Sequence, residues 1–513
     1  MMARPPKKIF PAALVALIFL AGLALRLIML GTTFRSADEG AVAARILKYP
    51  GYAWMFREYY GLLINLLVKS SAALVSFLGL TLTEFWWKFP VALAGALQTP
   101  LTYGFLKRLG AGRFGRLLGA ALMAVLPLHV MASRYLWGYE VLGVLSITLA
   151  IWALVRFFND PTTRSGLTAS LASGLYLVSH GYILPFLPCL VLLIILWAPA
   201  GGKNLVRRFW AGTKLLARKG VWVFPLLALP FCLYPIGHML KKPTRPGFYL
   251  GSHLSGFLGN TGVGVIILLV VAAAAFVKLR DARTRTIIFL ALGGVFYLAP
   301  LFVGTPADIT AVRHYMLMGT VLWVWAAVLV LDSLAAKRPS GVLALTSLCL
   351  ALTLWGTVES VFRVDRSFDP SLVTIDRGGV FPDPGVKAAG ALLRQNLKPG
   401  LTVLAIHRNI EPLNLFYYFG RDEIAYYDLT LPDTRRVFET DAGRADVVIC
   451  EPEQRGFVEA SGLFEPRIVL TSEGAPRLYV FARPAVPLPS LAADVRELNR
   501  VYDRTYAPRV TWR

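Results

Sequence analysis

Charge is scarce in this 513-residue chain. Only 16% of its residues are Asp, Glu, Lys or Arg, against about a quarter in soluble domains. Acids are the scarcer sign, with 30 Asp+Glu against 53 Lys+Arg. Four cysteines in so long a chain exclude a disulfide scaffold, and no C-x-x-C or Cys/His ligand spacing is present to suggest zinc. Cys189, Cys232 and Cys349 lie in apolar runs and Cys450 ends a predicted strand, so all four read as small buried hydrophobes. Repeats and low-complexity tracts are missing as well. What is plentiful is apolar: 56% of residues are hydrophobic and the mean hydropathy is +0.58, a membrane composition.

The formal charge of +23 raises a nucleic-acid partner, and its placement excludes one. After Glu359 there are 20 basic and 20 acidic residues, so the whole excess falls in 1–359. There the basic residues are dotted between apolar runs, where they set topology. Since a crossing needs about 20 mostly apolar residues, eleven spans are expected: 9–30, 85–106, 117–133, 141–158, 166–179, 182–199, 221–239, 262–279, 286–303, 315–335 and 340–358. A further apolar run, 61–80, contains Asn65, Lys69 and three serines and reads as an interfacial helix. With the N-terminus cytoplasmic, the inside loops gather 21 basic residues and only Asp160, Asp281 and Asp332 as acids. Letting 61–80 cross would reverse that bias. The first span also has a signal-peptide look near Ala21–Ala24, but its apolar run continues to Leu30, which favours a retained span.

Beyond Glu359, short β-like runs (402–406, 424–427, 447–450, 467–470, 478–481) alternate with helical ones (385–397, 412–419, 432–440, 453–461). The expectation is therefore a polytopic α-helical membrane protein, residues 1–359, with interfacial helices in an outer loop 31–84. A C-terminal soluble α/β domain, 360–513, follows on the extracytoplasmic side.

The candidate chemistry sits at predicted outer boundaries. Asp38-Glu39 follows the first span, and adjacent carboxylates there need water or a partner. Ser36 capping a helix over 38–48 would account for them structurally. Arg134, Tyr135, Trp137, Tyr139 and Glu140 follow the third span. An interfacial belt explains the aromatics and a snorkelling Arg134, but not Glu140 at the start of an apolar helix.

Across roughly residues 9–335 the sequence resembles the membrane glycosyltransferases of the C type (GT-C), notably protein O-mannosyltransferases and the bacterial aminoarabinose transferases of lipid A. The likeness rests on an ordered series of short motifs. These are Asp38-Glu39 after the first span, Tyr59-Tyr60-Gly61-Leu62-Leu63, Trp86-Trp87-Lys88-Phe89-Pro90, Ser133-Arg134 with Glu140, Ser179-His180-Gly181, and Arg313-His314-Tyr315. The sequence departs from the family where His-Pro-Pro would start the interfacial helix and where His314 splits Arg313 from Tyr315.

The resemblance implies inverting transfer of a sugar from a polyprenyl-phosphate donor to a lipid, glycan or protein acceptor outside a bacterial inner membrane. Asp38 would be the general base, with Glu39 orienting it or the acceptor. Arg134 and Arg313 would bind the donor phosphate, helped by His180, His314, Tyr139 and Tyr315. Glu140 has two readings, as a partner of Arg134 or, with Asp38, as a ligand for a divalent cation (Mg2+ or Mn2+) that the sequence does not require. Oligosaccharyltransferase-type transfer is the alternative within the enzyme class, though the D-x-D usual in its first outer loop is absent. A lipid or solute transporter is the other alternative, and it would place ionisable residues near the bilayer midplane.

Overall fold

The computed structural model describes residues 9–28, 30–31, 37–48, 55, 61–136, 138–179, 183–198, 204–241, 261–277, 283–303, 309–362, 385–398, 400–407, 412–420, 424–428, 438, 442–472 and 474–507. Helices occupy all eleven expected spans. They are α1 (Ile9–Leu27), α4 (Glu84–Arg108), the pair α5 (Arg113–Val125) and α6 (Pro127–Ala132), α7 (Tyr139–Asn159), α8 (Thr163–Ser179), α9 (Ile183–Trp197), α11 (Val223–Lys241), α12 (Val263–Phe276), α13 (Thr284–Val303), α14 (Ile309–Ala335) and α15 (Pro339–Phe362). Between them lie α2 (Ala37–Lys48), α3 (Leu62–Phe77) and α10 (Leu205–Arg218). Taken singly, three described helices are long and apolar enough to cross a membrane: Tyr139–Asn159, Met316–Ala335 and Pro339–Glu359. The bent pair α10 and α11, which meet at 96°, would make a fourth.

The expected single span 117–133 is broken. Pro127 has no N–H, so the carbonyl four residues back, Met123, loses its helical donor. Arg26 of α1 supplies one instead, donating through Nη2 to Met123 O (3.1 Å) and through Nη1 to Ala124 O (3.0 Å). Thr357 of α15 donates through Oγ1 to the next carbonyl, Val125 O. The break is thus closed by side chains from two other helices, the condition on which irregular backbone survives inside a membrane protein.

The C-terminal unit is a six-stranded sheet in the order β2-β1-β3-β5-β4-β6, built from β1 (Val403–His407), β2 (Ile424–Asp428), β3 (Val447–Cys450), β4 (Glu465–Ser472), β5 (Ala475–Ala482) and β6 (Leu491–Asp494). β1 runs parallel to β2 and β3, and β5 antiparallel to β3 and β4. All five expected strands are present; β6 and the helix after it were not anticipated. The helices are α16 (Val386–Asn396), α17 (Pro412–Phe419), α18 (Arg455–Glu459) and α19 (Val495–Thr505). Of the expected helix 432–440 only Phe438 is among the described residues.

Side chains alternate across the sheet with period two. Leu404, Ile406, Val448 and Cys450 face a separate core with Phe438, Ala442 and Val458. Val403, Ala405, Val447 and Ile449 face the other way, into a core that continues through α16, α17 and α19 into the membrane helices. The α/β unit therefore shares its core with the helical module on one face. Docking brings α17 against α2.

Candidate active site

The ends of α1, α2, α4, α6 and α7 meet beneath the docked unit, fastened by buried polar contacts. Two arginines interlock α1 with the α5–α6 segment. Arg26, fully buried, donates from Nη2 to the Nδ1 of buried His129 on α6 (2.7 Å) in addition to its carbonyl contacts. Arg134, just beyond α6, answers by donating Nη1 to the carbonyls of Leu25 (3.2 Å), Arg26 (3.0 Å) and Ile28 (2.7 Å), which α1 leaves open at its C-terminus. A cation there also suits the helix dipole. Close approach of α4 makes this possible: a Cβ on Gly95 would overlap Ser133 Cβ and lie 3.0 Å from Arg26 Nε, so a side chain there would force these elements apart.

Glu39 is completely buried. Its Oε1 accepts the main-chain N–H of Leu136 (2.9 Å) and lies 3.5 Å from Lys88 Nζ, itself buried on α4. One carboxylate thereby ties α2 to the 133–138 segment and to α4. A buried acid needs such partners, and Glu39 belongs to the scaffold that sets the position of the neighbouring Asp38.

The expected site residues fall into three groups. Asp38 is the second residue of α2, with its side chain outside the described residues. Arg134 and Glu140 join Glu39 at the docked end. Glu140 is buried in the first turn of α7, at the positive end of that helix. Tyr139 is fully buried and Tyr135 nearly so, which corrects the interfacial-belt reading of these two: they pack against protein, not lipid headgroups. Ser36, Trp137 and His180 lie outside the described residues, as do the side chains of Arg313, His314 and Tyr315, whose backbone forms the second turn of α14. Among the described residues no group of three or more His, Cys, Asp or Glu side chains is placed to hold a metal.

Sequence reasoning missed the ion cluster above Glu39. Lys387 of α16, 2% exposed, donates Nζ to Glu84 Oε2 on α4 (2.7 Å) and to Asp503 Oδ1 on α19 (2.6 Å). Burial opposes the Lys387 ammonium, but the Glu84 and Asp503 carboxylates outweigh it and hold its pKa above the ordinary 10.5. Burial and then the charge of Glu84 raise Asp503 in turn. Three residues along α4, Trp87 Nε1 donates to Tyr417 Oη (3.1 Å), and burial drives the Tyr417 hydroxyl well above its usual range. The one signal available was the composition of Val386–Asn396, where Lys387 sits among alanines, glycine and leucines as in a helix with no wet face at that point.

No protein-family profile matches the chain, and no curated protein matches it in sequence. Solved structures do match. The oligosaccharyltransferase of Archaeoglobus fulgidus in its apo form is 12% identical with a TM-score of 0.54, over 94% of this chain and 75% of that one. ArnT from Cupriavidus metallidurans, bound to undecaprenyl phosphate, is 14% identical with a TM-score of 0.51, over 92% of this chain and 98% of that one. The mycobacterial arabinofuranosyltransferase AftD is 14% identical with a TM-score of 0.52, over 94% of this chain but only 40% of its own. The fold resembles that of GT-C membrane glycosyltransferases.

Proposed function

We propose that the chain is a membrane glycosyltransferase that moves a sugar from a polyprenyl-phosphate donor to an acceptor on the extracytoplasmic face, with inversion. The observation that carries this reading is the seating of Asp38. It immediately precedes a buried, doubly held Glu39 in α2, at the end of the bundle where the α/β unit docks, in a chain with a GT-C fold over nine-tenths of its length.

Asp38 is the general base. It takes the proton from the acceptor hydroxyl or amine as that atom bonds the anomeric carbon, and the lipid phosphate leaves with the electron pair of the broken C–O bond. Arg313 and Arg134 oppose the charge growing on the phosphate oxygens, with His180, His314, Tyr139 and Tyr315 as hydrogen-bonding groups around phosphate and sugar. The Nη1 contacts of Arg134 support an additional part in fixing α1. Asp38 and Glu140 are the pair assigned to a divalent cation. One or two carboxylates plus donor phosphate oxygens is a donor set that suits Mg2+, which when bound would neutralise phosphate charge. The membrane is a bacterial inner membrane, the N-terminus cytoplasmic and the α/β unit periplasmic.

The test is transfer by purified protein from a panel of labelled polyprenyl-phosphate sugars and a lipid-linked oligosaccharide, with Asp38→Asn alongside and each arm repeated in EDTA. Wild-type transfer that falls about 10²- to 10⁴-fold in Asp38→Asn supports the base. Equal rates return Asp38 to helix capping. Loss in EDTA assigns the cation, and turnover of the oligosaccharide alone moves the reading to oligosaccharyl transfer.

A further inference from the structure

The Glu84–Lys387–Asp503 cluster does more than fasten two units together, because of what else α4 carries. Glu84 and Lys88 are four residues apart and share one face of the helix, one turn removed. At Glu84 the helix is gripped by a lysine of the α/β unit (2.7 Å), and at Lys88 it meets Glu39 (3.5 Å). Glu39 then holds the Leu136 amide (2.9 Å) and stands next to Asp38 on α2. Between the two charged turns, Trp87 is engaged by Tyr417 of α17, whose helix packs on α2. The α/β unit therefore reaches both helices that carry the Lys88–Glu39 pair, α4 through Glu84 and Trp87 and α2 through α17.

We propose that Lys387 is a positioning residue of the transfer site. By joining Glu84 to Asp503 it sets α4 so that Lys88 meets Glu39, and through Glu39 it fixes the 133–138 segment and the turn bearing Asp38. This rests on the transferase reading for its catalytic consequence, but not for its structural one. The chemistry favours so specific a role. A buried carboxylate, Glu84, and a partly exposed one, Asp503, share one buried ammonium, which restricts the geometry more than apolar packing alone does. Lys387 and Glu84 are 2% and 3% exposed, so in the docked state neither has water as an alternative partner.

Hydrogen exchange on full-length protein in detergent reads the structural part directly. In Lys387→Met, exchange of the peptide containing the Leu136 amide rises about tenfold or more, while the Gly112 and Gly115 amides do not change. Those two are held by Asp332 at the far end of the bundle (2.7 and 2.8 Å). The double variant Glu84→Gln/Lys387→Met removes the stranded carboxylate but restores no bridge, so Leu136 exchange stays raised; a return to wild type would assign the effect to the stranded charge and overturn the positioning role. In the transfer assay kcat of Lys387→Met falls about tenfold, with KM for the donor nearly unchanged, and stays low in the double variant.

Unchanged Leu136 exchange in Lys387→Met overturns the proposal. So does an equal rise at both ends, which would mean general loosening. If Lys387→Met does not fold, the double variant and Tyr417→Phe carry the same measurement, with partial deprotection of Leu136 expected in the latter. If wild type transfers no sugar from any donor, the transferase reading fails and Leu136 exchange alone decides what Lys387 does.

Discussion

At the scale of single residues, three of the described buried charges, Arg26, Glu39 and Asp332, serve the backbone as donors or acceptors. Arg26 is the clearest case: one guanidinium serves Gly22 O, Met123 O, Ala124 O and His129 Nδ1. Arg26→Met fills much of the same space and leaves those acceptors without their donor. With each buried orphan worth about 1–3 kcal/mol in water-soluble proteins and less in bilayers, the variant should lose about 2–4 kcal/mol. Denaturation in detergent micelles measures it, and a loss below about 0.5 kcal/mol would show that the carbonyls have found other partners. Asp332 follows the same pattern at the opposite end. It accepts the Gly112 and Gly115 amides at the start of α5 and pairs with Arg283 (2.5 Å).

At the scale of elements, Pro127 decides where α6 points. Pro127→Ala would supply the missing N–H and favour a continuous α5–α6 helix, by up to about 3 kcal/mol of intrinsic propensity. Straightening would carry Ser133, Arg134 and Leu136 away from α1 and Glu39. The expected result is a transfer rate down at least about tenfold with an unchanged or higher melting temperature; retained activity would mean that Arg26 and Thr357 hold the bend without proline. The break illustrates what the sequence disclosed and what it hid. Hydropathy and the spread of Lys and Arg placed a described helix in each expected apolar stretch but missed α10 (Leu205–Arg218), because an apolar run is a conspicuous local pattern and a short amphipathic helix beside it is not. Asp38-Glu39, Arg134 and Glu140 were visible for the same reason, as polar residues beside apolar runs. Arg26–Met123 and Lys387–Glu84 join positions 97 and 303 residues apart, and no local pattern encodes such a pairing. β6 and α19 escaped notice because Leu491–Asp494 is short and lies at the sheet edge.

At the scale of the whole molecule, docking rests on a lysine whose pKa is raised, and the sign of the pH dependence follows. Lys387 contributes stability in full below its ordinary 10.5 and loses it as pH climbs through the higher folded-state value. Glu84, Asp503 and the Tyr502 ring surround it, and burial raises the hydroxyls of Tyr417 and Tyr502 above their usual range. The melting-temperature gap between wild type and Glu84→Gln/Lys387→Met should therefore stay constant from pH 8 to 10 and narrow only above about 10.5. A gap that closes near neutrality would assign the docking energy elsewhere.

The same cluster gives the chain a timetable. Glu84 leaves the ribosome 303 residues before Lys387, about 15–60 s at ordinary synthesis rates of roughly 5–20 residues per second. For that interval α4 is already in place while its Glu84 and its Trp87 await the partners that will cover them. The newborn protein thus holds its spans long before it holds its centre, and a chain cut short ahead of α16 would be inserted but unfinished, recognisable to quality control by a bare carboxylate at the membrane's edge.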